Sequence, residues 1–208
     1  MFTKPQIATV AAEFLGTALL VMLFLVLTET TAVSYFVGTS VAVALTVIFL
    51  LFGRISGAHA NPALTFGMWT ARKIGTLRSV VYIAAQLLGG LAALELYQYF
   101  TDRTLATKSV PFSTPMWLAE VVGAALLAFA LAVALRRGAD MLHSAVVYGA
   151  SYFVAIMIAA TASAAYLNPA VALGLRNWNA IYVLGPLVGG LIGANLYYLL
   201  FDKFPSKK

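Results

Sequence analysis

The sequence predicts an all-α membrane protein: a bundle of six transmembrane helices plus two re-entrant half-helices, built as an inverted repeat. Three observations lead there. Of the 208 residues 62% are hydrophobic and only 10% charged, where a soluble domain carries about a quarter charged residues, and the mean hydropathy is +0.93. The apolar residues are gathered into runs of about 20, long enough to cross a hydrocarbon core of roughly 30 Å as helices. The pattern of the first half of the chain also returns in the second.

The first span is expected over 7–28. Its position invites comparison with a signal peptide, but the apolar run is too long, contains Glu13 and lacks a clear A-x-A-like cleavage site. Further spans follow over 35–53, 77–99, 115–135, 142–162 and 179–201. Between them lie 61–70 and 168–176, each opening on Asn-Pro and each too short to cross the bilayer. Such pieces survive at membrane depth only where they are buried in protein or line an aqueous cavity, so both are read as re-entrant half-helices.

Six spans place both termini on one side. With the N-terminus in the cytoplasm, the inside receives Lys4, Arg54, Arg72, Lys73, Arg78, Arg136, Arg137, Lys203, Lys207 and Lys208, and the outside only Arg103, Lys108 and Arg176. The excess of basic residues on cytoplasmic loops sets orientation, so both termini are expected in the cytoplasm. The same bias accounts for the net charge of +6 without nucleic acid.

The repeat is specific. AEFLGTALL at 12–20 returns as AEVVGAALL at 119–127, and NPALTFG at 61–67 as NPAVALG at 168–174. Glu13 and Glu120, like Asn61 and Asn168, are displaced by 107 positions. Downstream, QLLGGLAAL at 86–94 matches PLVGGLIGA at 186–194 at a displacement of 100, so the second half is shorter by about seven residues. Each half, about 1–105 and 106–208, contains three spans. An odd number inserts the second half upside down, and inverted repeats place their functional site near the midplane, where broken helices meet.

Proline suits the first helical position because its missing N–H would be orphaned there anyway, and Asn is a favoured N-cap. Asn61-Pro62-Ala63 and Asn168-Pro169-Ala170 therefore each announce a helix start. In an inverted repeat the two starts face each other. Each side-chain amide, held by its own helix end, keeps donors for a lumen. Two donors from opposite sides can hold one water oxygen and turn its hydrogens away from both. The two N-termini, each with about half a unit of positive charge, oppose cations where little water remains to screen them. The non-helical stretches before them, 56–60 and 163–167, supply carbonyl acceptors. The plainer alternative is a pair of ordinary helix starts in a packed bundle, and two copies at one spacing argue against it.

These residues resemble the aquaporin (major intrinsic protein) family: SGAHANPALTFG, NPAVALG, the paired AEFLG and AEVVG, Gln86 with its following Gly-Gly, and GPLVGG. The likeness spans essentially the whole chain. It implies the aquaporin-like right-handed bundle of six tilted helices and two half-helices, one pore per subunit, a homotetramer in the lipid bilayer, and water or small neutral solutes as cargo. It also implies that Glu13 and Glu120 are loop braces, each accepting hydrogen bonds from a pore loop, with a proton relay as the alternative. Buried carboxylates are costly unless satisfied in this way.

One departure from the family stands out. The residue after the second motif is usually Arg, and here it is Val171. Counting back from the motifs, as the resemblance directs, places the remaining filter positions at Val41, usually aromatic, Ile156, usually His in water channels and Gly in glycerol facilitators, and Ala165. The filter so inferred has no polar side chain. A narrow apolar ring dewets, and a wider one passes larger or less polar solutes. Arg176 lies eight residues after Asn168, too far along the half-helix to take the vacancy, and is read as a surface anchor. Ala172 follows the water-channel pattern, whereas Arg176 sits where glycerol facilitators tend to carry a basic residue.

His59 is expected in the cytoplasmic half of the pore, with plain packing as the alternative, and His143 in a solvated loop near 136–143. Trp69, Trp117 and Trp178 fall near span ends, as an interfacial belt does, and Gly89-Gly90, Gly189-Gly190 and Gly193 permit close helix crossings. The chain has no cysteine and two histidines, which excludes disulfides and thiolate chemistry and leaves no metal or other cofactor to propose. It carries neither a Gly-x-Ser-x-Gly elbow nor a His-Glu-x-x-His pair, so an enzyme is not expected. The expectation is a passive channel; a poorly conducting structural protein on the same fold is the alternative.

Overall fold

The computed structural model describes residues 3–30, 33–136 and 140–201. Among these the chain forms eight helices: α1 (Lys4–Thr30), α2 (Ser34–Phe52), α3 (Pro62–Thr70), α4 (Thr76–Thr101), α5 (Thr114–Ala134), α6 (Met141–Ala159), α7 (Pro169–Gly174) and α8 (Ala180–Leu200). Six are long and apolar enough to cross a membrane, and α3 and α7, of 9 and 6 residues, are the two half-helices. The 19 residues of α2 and α6 rise about 28 Å at 1.5 Å each, close to a bilayer's hydrocarbon thickness. The 27 of α1 exceed it and extend or tilt. The basic residues Arg137, Lys203, Lys207 and Lys208 lie outside the described residues.

Two expectations need correction. The fifth span stops at Ala159 rather than 162, because residues 160–163 turn to carry Ser163 back to Glu120. His143 belongs to the first turn of α6 and not to a loop, since Asp140 caps the helix and accepts from the His143 amide at 2.8 Å.

The helix packing repeats between the two halves. α1 packs on α4 and α2 as α5 packs on α8 and α6, α3 lies on α8 and α5 as α7 lies on α4 and α1, and α2–α6 and α3–α7 pair across the centre. Glycine makes the crossings close. A Cβ on Gly190 of α8 would run into the Ala63 carbonyl at the start of α3, and one on Gly90 of α4 into the Ala170 carbonyl at the start of α7. These two sites are equivalent in the repeat, and each seats a half-helix against a long helix. Outward faces are apolar: Leu19 and Val26 on α1, Val43 and Val47 on α2, Leu88 and Leu96 on α4, Val154 on α6 and Leu191 on α8 are exposed. Lipid is the solvent such faces require.

Candidate functional site: the junction of the two half-helices

Both half-helix starts have the local geometry their residues dictate. Asn61 is extended (φ −160°, ψ 119°) with Pro62 at the first helical position, and its Oδ1 accepts from the Ala63 amide at 2.8 Å. Asn168 (φ −155°, ψ 115°), before Pro169, accepts from Ala170 at 2.9 Å. The remaining amide group crosses over. Asn61 Nδ2 donates to the Leu167 carbonyl, and Asn168 Nδ2 to the Ala60 carbonyl, both at 2.9 Å. Each asparagine thus holds the residue that precedes the other. A primary amide has two N–H donors, so the cross-link uses one and leaves one on each side. Two helix N-termini, each with partial positive charge, meet at this point.

The segments before the motifs are shaped by left-handed residues: Ala58 (φ 47°) and Ala60 (φ 48°) in the first, Ala165 (φ 53°) and Leu167 (φ 56°) in the second. Each such residue costs about 1–2 kcal/mol, so the surroundings must hold it. The holders are two buried carboxylates. Glu13 Oε1 accepts from Ser56 Oγ (2.6 Å) and the His59 amide (3.0 Å), and Oε2 from the Ala60 amide (2.8 Å) and Gln86 Nε2 (2.7 Å). Glu120 Oε1 accepts from Ser163 Oγ (2.8 Å) and the Tyr166 amide (3.1 Å), and Oε2 from the Leu167 amide (2.7 Å). Ser56 and Ser163, His59 and Tyr166, Ala60 and Leu167 are all separated by 107 positions, so the repeat persists to individual hydrogen bonds. Gln86, which the sequence offered only as a family mark, has a definite place: it also donates to Thr65 Oγ1 at 2.8 Å.

The carbonyls expected to line the path are in part already engaged. Those of Ala60 and Leu167 receive the asparagines, and those of His59 and Tyr166 receive the hydroxyls of Tyr148 (3.2 Å) and Tyr152 (3.0 Å). The His59 side chain is buried, with Nδ1 3.0 Å from Thr65 Oγ1 and its ring edge-on to Tyr82.

Val41 on α2, Ile156 on α6, Ala165 in the second pre-motif segment and Val171 on α7 are all at most 2% exposed and share one apolar cluster. Ile156 and Ala165 line a cavity of about 280 Å³ with Thr28, Val37, Ser163 and Tyr166. Val41 and Val171 do not line it. Arg176 donates to Thr107 at 3.1 Å, and its carbonyl accepts from the Lys108 amide at 2.7 Å, so it ties the 102–113 loop to the end of α7. Tyr148 and Tyr152 escaped the sequence reading. Their signal was the four-residue spacing back from Ile156, which puts all three on one face of α6.

The chain as a whole is similar to known proteins. The family model described as Major intrinsic protein matches residues 2–198. The chain is similar to a probable aquaporin of TIP type from Medicago truncatula, 32% identical over 172 residues, covering 77% of this chain and 69% of that one. It is 31% identical over 186 residues to Aquaporin AqpM from Methanothermobacter marburgensis, covering 79% and 76%, and 30% identical over 192 residues to Aquaporin Z from Photorhabdus laumondii, covering 80% and 83%. Among solved structures, the aquaglyceroporin from Plasmodium falciparum superposes with a TM-score of 0.72 over 95% of this chain and 96% of that one, at 20% identity.

Proposed function

The chain belongs to the major intrinsic protein family, and we propose that it is a passive channel conducting water, with glycerol, urea, ammonia or dissolved gases as further cargo, and excluding protons and ions. Membership makes it an integral membrane channel for water or small solutes, not an enzyme. The observation that carries the finer reading is the reciprocal cross-link of Asn61 and Asn168. It leaves each amide one spare N–H, and in this reading the two face the lumen at one level. A water oxygen that accepts both turns its hydrogens outward, up and down the file, and interrupts the chain of like-oriented hydrogen bonds a proton needs. The two helix dipoles add a positive field against cations at the same level.

Glu13 and Glu120 act as braces that hold the left-handed backbone before each motif, with four and three donors respectively. Val41, Ile156, Ala165 and Val171, at the positions the family uses for its filter, form an apolar ring on the path, and His59 belongs to its inner half. Homotetrameric assembly with both termini cytoplasmic completes the proposal. Arg103, Lys108 and Arg176 lie on the sparsely basic side, and Lys108 and Arg176 are joined there by a backbone hydrogen bond. A channel mainly for neutral solutes other than water is the second reading, favoured by the absence of any polar side chain among the four filter residues.

The test uses proteoliposomes with a trapped pH-sensitive dye. Osmotic shrinkage faster than in protein-free vesicles, with an imposed pH gradient decaying at the protein-free rate, is the expected pair of results. A gradient that collapses with the protein present would rule out the proton barrier at the asparagines.

A further inference from the structure

One face of α6 runs the length of the junction. Ser144, Tyr148, Tyr152 and Ile156 follow one another at intervals of four and are all at most 4% exposed. Ile156 opens on the cavity it shares with Ala165. The Tyr152 hydroxyl then reaches the Tyr166 carbonyl, and one turn further the Tyr148 hydroxyl reaches the His59 carbonyl. His59 and Tyr166 each stand two residues before a motif asparagine, in segments that enter from opposite halves of the repeat and meet through Asn61 and Asn168. Two phenols about 6 Å apart along one helix therefore bracket the meeting point, one on each side of it.

The other wall differs. The displacement of 107 holds at Glu13/Glu120 and again at Asn61/Asn168, so it applies to the helix between them. It pairs Tyr148 with Val41 and Tyr152 with Leu45, both buried on α2. At equivalent places the junction thus meets aliphatic side chains from α2 and phenols from α6. The phenols are anchored at both ends. The Tyr148 ring is edge-on to Phe49 at 5.7 Å and the Tyr152 ring lies 6.1 Å from Phe24. Gly149 lets α6 pack closely on α2, where a Cβ would run into the Ala42 carbonyl and Thr46.

Resting on the channel reading above, we propose that the Tyr148–Tyr152 pair, rather than the apolar ring of Val41, Ile156, Ala165 and Val171, is the constriction that sets which solutes pass. The rings supply the bulk that slows glycerol-sized molecules relative to water. Each hydroxyl, donating its hydrogen bond to a loop carbonyl, keeps oxygen lone pairs that accept a hydrogen from water on either side of the asparagines. The pair thus selects for water by size while offering it two acceptors.

The experiment is a stopped-flow comparison of water and glycerol permeability in proteoliposomes carrying wild type, the repeat-mate variants Tyr148→Val and Tyr152→Leu, the ring-preserving Tyr148→Phe and Tyr152→Phe, and Ile156→Ala. Monodispersity in detergent and reconstituted amount are matched beforehand. The aliphatic variants are expected to raise the glycerol-to-water ratio about tenfold, a barrier lower by about 1.4 kcal/mol. The Phe variants should leave glycerol permeability at the wild-type rate while slowing water, and they carry the test of the hydroxyls even if an aliphatic variant does not fold. A ratio that moves in Ile156→Ala and stays fixed in the tyrosine variants would return the constriction to the outer ring while leaving the channel standing. Wild type and variants all inert would remove the channel reading, and the pair's role with it.

Discussion

Asn61 and Asn168 each secure the loop of the other: the amide of one donates to the carbonyl just before its counterpart, at 2.9 Å in both directions. The two half-helices are therefore not independent pieces that happen to meet. Each depends on the other's asparagine for its approach to the centre, while capping its own first turn with the same side chain.

Removing one asparagine should be felt in both halves. Asn168→Ala loses a cap, leaves the Ala60 carbonyl without that donor, and costs about 2–3 kcal/mol. A lower midpoint of thermal unfolding in detergent is expected, together with reduced water permeability. A variant with wild-type midpoint and wild-type flux would deny the cross-link any role.

The carboxylate braces should rank by their donors. Glu13→Gln and Glu120→Gln each turn an acceptor oxygen into an NH2 group that faces N–H and O–H donors, at a cost of about 2–4 kcal/mol. Glu13 has four donors and Glu120 three, so Glu13→Gln is expected to melt lower. The reverse order, read from detergent unfolding curves, would show that donor count does not govern the sites.

Val171→Arg places a charged donor group at the start of α7, where Val171 is fully buried. It adds a barrier in series with any other, and urea and glycerol flux should fall about tenfold relative to water, a barrier of about 1.4 kcal/mol. A solute panel checks this, and an unchanged profile would remove Val171 from the pathway.

Gly190→Ala drives a methyl group against the Ala63 carbonyl and displaces α3 from α8. Overpacking at such a site costs about 1–3 kcal/mol. Gly75, the N-cap of α4 with open space around it, is the control, and Gly75→Ala should cost about 1 kcal/mol at most, as a weaker cap, and melt above Gly190→Ala. Equal midpoints for the two would mean that α3 and α8 can separate freely.

Much of this was legible in the sequence because the signals are local and doubled. The spans follow from apolar runs, the half-helices from Asn-Pro at their starts, and the repeat from a displacement that Glu13 and Asn61 share. What escaped depends on distant partners. A tyrosine in an apolar helix reads as core, and only the fold brings the hydroxyls of Tyr148 and Tyr152 to His59 and Tyr166. The use of Ala60 and Leu167 as acceptors is likewise invisible along the chain, since Asn61 reaches across 106 positions to do it. The end of the fifth span was misjudged because residues 160–162 are apolar enough to continue a helix, while the demand of Glu120 for Ser163 turns the chain away.

The central claim is that the junction of Asn61 and Asn168 is a pore for uncharged molecules. The most direct measurement is stopped-flow light scattering of proteoliposomes carrying the wild-type chain, stepped in turn against impermeant osmolyte, urea and glycerol. Faster water flux than in protein-free vesicles, with glycerol flux well below it, is the result the account predicts. Rates equal to those of protein-free vesicles for water and for every neutral solute would contradict it.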